Sequence, residues 1–229
     1  MHTPYPILRH LLCLLPLIAT LCAVWLFIGA DEAVFLHFNE VRAANPDSTF
    51  WVRLFSDSFI FLLYPVYLFL LYRGLRYARP AEARLAIACF IAQILVCAVL
   101  CRFVKVAIGR PRPMTGGSFM FFSLDWGYQA FPSGHTAESI GASLPLTFNY
   151  GRVFLPLCLG FFVAAIGYSR LYLGMHHPTD IWGGIVFGSL SGYVCWKIFR
   201  LPAAKVRRFL PGRIAEWPRT KHILETVFR

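Results

Sequence analysis

The sequence predicts an all-α protein, a six-transmembrane helical bundle, and three observations predict it. Hydrophobic residues make up 58% of the 229 and charged residues only 14%, against about 45–50% and about 25% in ordinary soluble domains. The apolar residues fall into six runs, the first of them twenty residues without a charge. The basic charge is displaced to one end: nine of the 22 Lys and Arg follow Trp196, and none lies between Leu11 and Glu40. With a mean hydropathy of +0.59, a water-soluble globule of this length cannot bury so much apolar surface. Disorder, collagen and small disulfide scaffolds are excluded by the same composition. The net charge of +11 sits on a tail behind an apolar body, which reads as a membrane protein and not as a nucleic-acid binder.

The first run, Leu11 to Ala30, is long enough to cross a bilayer core of about 30 Å. A cleaved signal peptide would carry an apolar region of about 7–15 residues and small residues at its cleavage site. This run is longer and ends Phe-Ile-Gly-Ala-Asp, so a retained helix is expected. Further runs follow at Phe59–Tyr72, Leu85–Cys101, Thr136–Phe148, Val153–Tyr168 and Ile181–Trp196. Several fall short of about 20 residues, so their helices must extend into the polar flanks.

Basic residues orient the bundle. With the N-terminus inside, the inner segments hold fifteen Lys and Arg and the outer segments seven. Both termini are therefore expected in the cytoplasm and the active site on the extracytoplasmic side of the cell membrane, which is the periplasmic side of the inner membrane if the source is bacterial. The segment Asp31 to Asp57 holds five acids, two arginines and several aromatic residues, which suits helices lying at the interface. Residues 1–200 are expected to form one membrane domain, and 201–229, broken by Pro202, Pro211 and Pro218, a basic cytoplasmic tail near anionic headgroups. The seven cysteines lie in or at the ends of apolar runs, with no CxxC and no zinc spacing. They read as small buried hydrophobes.

With this topology three polar clusters gather at the extracytoplasmic membrane face. The first spans Lys105 to Pro113. Gly109 and Pro111 should end the third span, leaving Lys105 on its last turn and Arg112 on a stiff extended segment. An Arg fork and a Lys point charge held this way suit a phosphate, although cations at a membrane edge also snorkel without any role. The second cluster is Pro132-Ser133-Gly134-His135. Ser133 is a preferred N-cap, Gly134 admits a ligand close to the backbone, and free amides at a helix start bind anions. His135 stands in the first turn. The third runs from Ser169 and Arg170 to His176, His177 and Asp180. Pro178 fits a helix start, and a carboxylate within a turn of a histidine can fix the imidazole tautomer. Spacing alone does not choose between His176 and His177. Only Asp125, Glu138 and Asp180 supply carboxylates among these clusters, too few for a two-metal site.

In order and spacing, Lys105-x6-Arg112-Pro113, Pro132-Ser133-Gly134-His135 and Ser169-Arg170-x5-His176-x3-Asp180 resemble the three signature motifs of the type 2 phosphatidic acid phosphatase family. The resemblance covers about residues 50–200 and extends to six-span topology. It implies a phosphohistidine route. His176 would attack phosphorus with Asp180 holding its far ring nitrogen. Lys105, Arg112, Arg170, Ser133 and Gly134 would bind the phosphoryl oxygens, and His135 would protonate the leaving oxygen and then activate water. No cofactor or metal is implied.

The expected substrate is a lipid phosphate or diphosphate whose tail stays in the bilayer, such as phosphatidic acid, phosphatidylglycerol phosphate, a polyprenyl diphosphate or the lipid A 1-phosphate. A phosphotransferase using the same His176 is the alternative, and a transporter a remote one. The aromatic segment Met114 to Phe131 reads either as an interfacial lid or as a plain aromatic belt. Glu138, three residues after His135, shares a helix face with it and is a candidate modulator of that histidine, or else merely complements the helix dipole.

Overall fold

The computed structural model describes residues 5–150 and 154–201, and these are helical with no strands. The expected cytoplasmic tail lies, apart from Leu201, outside the described residues. Helix α1 is Ile7–Phe27, α2 Asp31–Ala44, α3 Pro46–Phe59 and α4 Leu63–Arg76. Helix α5 is the continuous stretch Pro80–Ile108, π-helical from Gln93 to Leu100. Then come α6 Gly134–Asn149, α7 Phe154–Tyr172 and α8 Pro178–Phe199, with a 3₁₀ turn at Trp126–Tyr128 before α6. As the polar flanks required, all six apolar runs become helices that reach beyond them at one end or both.

Helices α6 and α8 form the centre. From Thr136 to Thr147 every residue of α6 except Glu138 is buried. Packing this close depends on glycine at four-residue intervals on α8, the small-residue spacing that lets two helix backbones approach. A Cβ at Gly184, Gly188 or Gly192 would come within 2.6–2.7 Å of Thr136, Ile140 or Leu144. One apolar core joins this pair to α1, α2 and α7 through residues such as Leu17, Phe38, Ile140, Val163 and Ile181. A second joins it to α4 and α5 through Tyr67, Leu70, Leu85, Cys89, Leu146 and Cys195.

Among the described residues four helical stretches are long and apolar enough to cross a membrane: Ile7–Phe27, Pro46–Arg76, Pro80–Ile108 and Phe154–Tyr172. In the first three only 28–33% of the apolar window is buried inside the protein, so their outer faces need another apolar medium. Helix α6 is enclosed by its neighbours, whereas α8 leaves Trp182, Val186, Leu190 and Tyr193 exposed on its outer face. Asp31 contacts Thr179, so the end of α1 meets the start of α8. Arg9 donates to the carbonyls of Thr147 and Phe148, and Arg84 to that of Phe199. The starts of α1 and α5 thus lie with the ends of α6 and α8, at the opposite end of the bundle.

Candidate active site

The three polar clusters meet at the end of the bundle where α6 and α8 begin. Helix α5 stops at Gly109 with φ +58, where a Cβ would lie 1.6 Å from the Met120 carbonyl oxygen. Only glycine fits this turn. It leaves Lys105 on the last turn, where its ammonium donates to the Gln129 carbonyl at 2.9 Å. The chain then carries Arg112 inward, stacked on the Trp126 ring at 3.8 Å. Its side chain donates to the carbonyls of Trp126 and Met175 at 3.1 and 3.2 Å.

Ser133 stands at the N-cap position of α6, as expected, but its hydroxyl accepts from Thr136 at 3.0 Å and makes no capping bond. Its backbone N–H donates to the Asp180 carbonyl at 2.9 Å, which fixes the starts of α6 and α8 side by side. A Cβ on Gly134 would lie 3.6 Å from Cε of Lys105, so the open helix start faces a cation. His135 lies in the first turn, with Nε2 3.6 Å from Asp57 of α3. That same carboxylate accepts from Arg170 at 3.0 Å, and Ser56 accepts from Arg170 at 2.9 Å.

His176 sits in the short segment between α7 and α8, which Arg42 of α2 braces by donating to the Tyr172 carbonyl. Nδ1 of His176 is 3.7 Å from Oδ2 of Asp180, beyond hydrogen-bond length. Both side chains are buried, at 2% and 0% exposure. Burial first, then the nearby charges of Lys105, Arg112 and Arg170, hold the His176 imidazole well below its ordinary 6.5. Burial, with Arg170 adding to it, pushes the Arg112 guanidinium down to about 10. Buried cations ordinarily need counter-charges. Arg170 has Asp57, but among the described residues Lys105 donates to a backbone carbonyl and Arg112 to two carbonyls and the Met175 sulfur with Trp126 against its face, and Nε of Arg170 is buried without a partner. The arrangement can therefore take up an anion and present it to a neutral imidazole.

The structure brings Lys105, Arg112, Ser133, Gly134, His135, Arg170, His176 and Asp180 to one place. No hydrogen bond or ion pair joins Glu138 to His135 among the described residues. Glu138 accepts from the Tyr64 hydroxyl, and the acid beside His135 is Asp57. Sequence reasoning gave no role to Asp57, Arg110 or Asp31. Arg110 donates to Asp180 at 2.7 Å and to Asp31 at 2.7 Å. Burial pushes the Asp31 carboxyl up, but hydrogen bonds from Thr179 and Arg110 outweigh it and hold the carboxyl below its ordinary range. The only sequence signal for these acids was their density in the segment after the first span. Phe119, Phe121 and Phe122 are exposed, and Trp126 of the same segment stacks on Arg112. Among the described residues no three His, Cys, Asp or Glu side chains are grouped to hold a metal ion.

Comparison with known proteins follows the same residues. The sequence model of the PAP2 superfamily matches residues 82–202. A lipid A 4'-phosphatase of Porphyromonas gingivalis is 29% identical over 180 residues, covering 75% of this chain and 74% of its own. One from Bacteroides thetaiotaomicron is 24% identical over 205 residues, covering 86% and 89%. A lipid A 1-phosphatase of Rhizobium johnstonii is 29% identical over 136 residues, covering 56% and 52%. No solved structure gives a significant match.

Proposed function

The chain belongs to the PAP2 superfamily, and from that premise we propose that it is a membrane-embedded lipid phosphatase working through a phosphohistidine on His176. The observation that carries this reading is the buried imidazole of His176, with Asp180 3.7 Å behind it and Lys105, Arg112 and Arg170 close enough to act on its charge. Phosphoryl transfer requires mainly positioning and stabilisation of charge on the equatorial oxygens. Three cations and the start of α6 supply that stabilisation. Asp180 faces Nδ1, so Nε2 is the attacking nitrogen, and the carboxylate stabilises the imidazolium that forms. His135 protonates the departing lipid oxygen and then takes a proton from the water that cleaves the phosphoenzyme. The chemistry needs no divalent metal, since the scarce carboxylates of the site are engaged with arginine and histidine.

The substrate is a lipid phosphate whose tail remains in the bilayer. The named relatives favour lipid A phosphates, the 4'-phosphate now standing beside the 1-phosphate, ahead of polyprenyl diphosphates and glycerophospholipid phosphates. We place the site at the extracytoplasmic face of a six-span domain of residues 1–200. The sequence supports this orientation, with fifteen Lys and Arg on the segments expected inside against seven on those expected outside. The test is release of phosphate by the purified protein from a panel of lipid A, phosphatidic acid, phosphatidylglycerol phosphate and undecaprenyl diphosphate, with and without EDTA. Release from at least one lipid, undiminished by EDTA, is expected. No release from any, or activity restored only by Mg²⁺, overturns the reading.

A further inference from the structure

We propose that Arg110 is a positioning residue for His176, acting through the Asp180 carboxylate, and that Asp31 at the start of α2 holds Arg110 in place. The inference rests on the phosphohistidine reading above and adds to it two residues outside the roles the motifs assign. Asp31 lies outside the region matched by the superfamily model.

A carboxylate turns about a broad, roughly two-fold terminal torsion. Left alone, Asp180 has no reason to keep one oxygen aimed at His176. In the structure both oxygens are taken. Oδ1 accepts from Arg110 at 2.7 Å, and Oδ2 accepts from the His177 backbone N–H at 2.7 Å. Their plane is thereby fixed, and the remaining direction of Oδ2 faces Nδ1 of His176. Asp180 is also wholly buried, and an unpaired buried carboxylate is costly. The charge of Arg110 favours the ionised carboxylate, the form that accepts the Nδ1 proton and stabilises the imidazolium.

Asp31 completes the chain of contacts. It takes the other arm of Arg110 at 2.7 Å and accepts from the N–H and hydroxyl of Thr179 at 3.2 and 2.6 Å. The line Asp31–Arg110–Asp180–His176 thus crosses the start of α2, the segment after α5, the start of α8 and the loop before it. Arg110 also differs from Arg112 in what it can do. Its fork is already committed to two carboxylates and the Thr179 hydroxyl, whereas Arg112 meets only backbone carbonyls, the Met175 sulfur and an aromatic face. Losing Arg110 should therefore slow turnover without weakening the hold on phosphate.

The experiment compares the purified full chain with Arg110→Met, Arg110→Lys, Asp31→Asn and the double variant Asp31→Asn/Arg110→Met. Hydrolysis of dioctanoyl phosphatidic acid is measured alongside the ¹⁵N NMR signal of the His176 ring in the vanadate-bound protein. Arg110→Met is expected to lower kcat about 100-fold with KM nearly unchanged, Asp31→Asn about 10-fold, the range typical of groups that orient a reacting ligand from behind. Arg110→Lys should recover part of the loss. Adding Asp31→Asn to Arg110→Met should cost nothing more, because Asp31 acts through Arg110. The Nδ1–H signal shifted by Asp180 should be lost in Arg110→Met and kept in Arg110→Lys. Full kcat, or an unchanged ring signal, in Arg110→Met overturns the proposal while leaving the phosphatase reading intact. A wild-type protein that hydrolyses none of the probe but loses the ring signal in Arg110→Met supports the positioning and counts against phosphatidic acid turnover instead. Additive losses in the double variant overturn the role of Asp31.

Discussion

Asp57 lies 3.6 Å from Nε2 of His135 and 3.0 Å from a guanidinium nitrogen of Arg170, so one half-exposed acid bridges a half-buried imidazole and a buried cation. The two contacts pull in opposite directions once a phosphate arrives. Beside Arg170, Asp57 competes with the phosphoryl oxygens; beside His135, it favours the protonated ring that the leaving group needs. Asp57→Asn is therefore expected to bind vanadate more tightly, by about 2- to 5-fold for an exposed pair, while kcat falls by about 10-fold through weaker general-acid catalysis. Vanadate inhibition and steady-state kinetics on the same preparation check both signs. Equal affinity and equal kcat would reduce Asp57 to a surface charge.

Glu138 carries a different expectation. Its carboxylate is committed to the Tyr64 hydroxyl, and Gln93 donates to its backbone carbonyl at 2.9 Å. It ties α4 and α5 to α6. Glu138→Gln should leave the pH–rate profile where it is and lower the melting temperature by roughly 2–4 °C for each kcal/mol lost. Tyr64→Phe should do the same. A shifted alkaline limb in Glu138→Gln alone would return the acid to the neighbourhood of His135.

The low proton affinity of His176 has a sign that can be read in kinetics. Burial and three nearby cations depress it below 6.5, so the ring keeps its lone pair as the pH falls through that value. The nucleophile is lost only at still lower pH. Because kcat/KM reports the free enzyme, its acid limb, corrected for ionisation of the substrate, should lie well below pH 6.5. An acid limb centred at the ordinary histidine value would show that the imidazole is not held neutral.

Much of this site was legible because its chemistry is local. Gly109 before Pro111, Ser133 before Gly134 and Pro178 after two histidines each mark a helix end within a few residues, and the structure ends or starts helices there. What the chain does not disclose are partners set by packing. Arg110 and Asp31 are 79 residues apart, and Arg170 and Asp57 113 apart, with no periodicity linking either pair. Asp31 and Asp57 were visible only as acids in an interfacial segment. Glu138 shows the converse case: its spacing from His135 suits a shared helix face, and its carboxylate also accepts from a tyrosine of α4. The aromatic segment before α6 likewise gave no hint that Trp126 alone would stack on Arg112.

Sidedness is open to a direct test. The segment after α5 and the turn between α4 and α5 lie at opposite ends of the bundle. In a background lacking the exposed Cys22 and Cys158, a membrane-impermeant thiol reagent should label Gly117→Cys in intact cells or spheroplasts and spare Arg79→Cys. Labelling of Arg79→Cys with Gly117→Cys protected would invert the topology.

Phosphate is expected to pass from lipid to water through His176. The most direct measurement mixes the purified protein with a ³²P-labelled lipid phosphate, quenches in denaturing alkali, and maps the label by peptide. The backbone N–H of His177, not its ring, holds Asp180 at 2.7 Å, so truncating the neighbouring side chain should leave the site working. Alkali-stable label is expected on the peptide carrying His176, none in His176→Ala, which should lose essentially all turnover, and label with a substantial fraction of turnover in His177→Ala. Turnover persisting in His176→Ala, or a phosphoenzyme still trapped there, would contradict it.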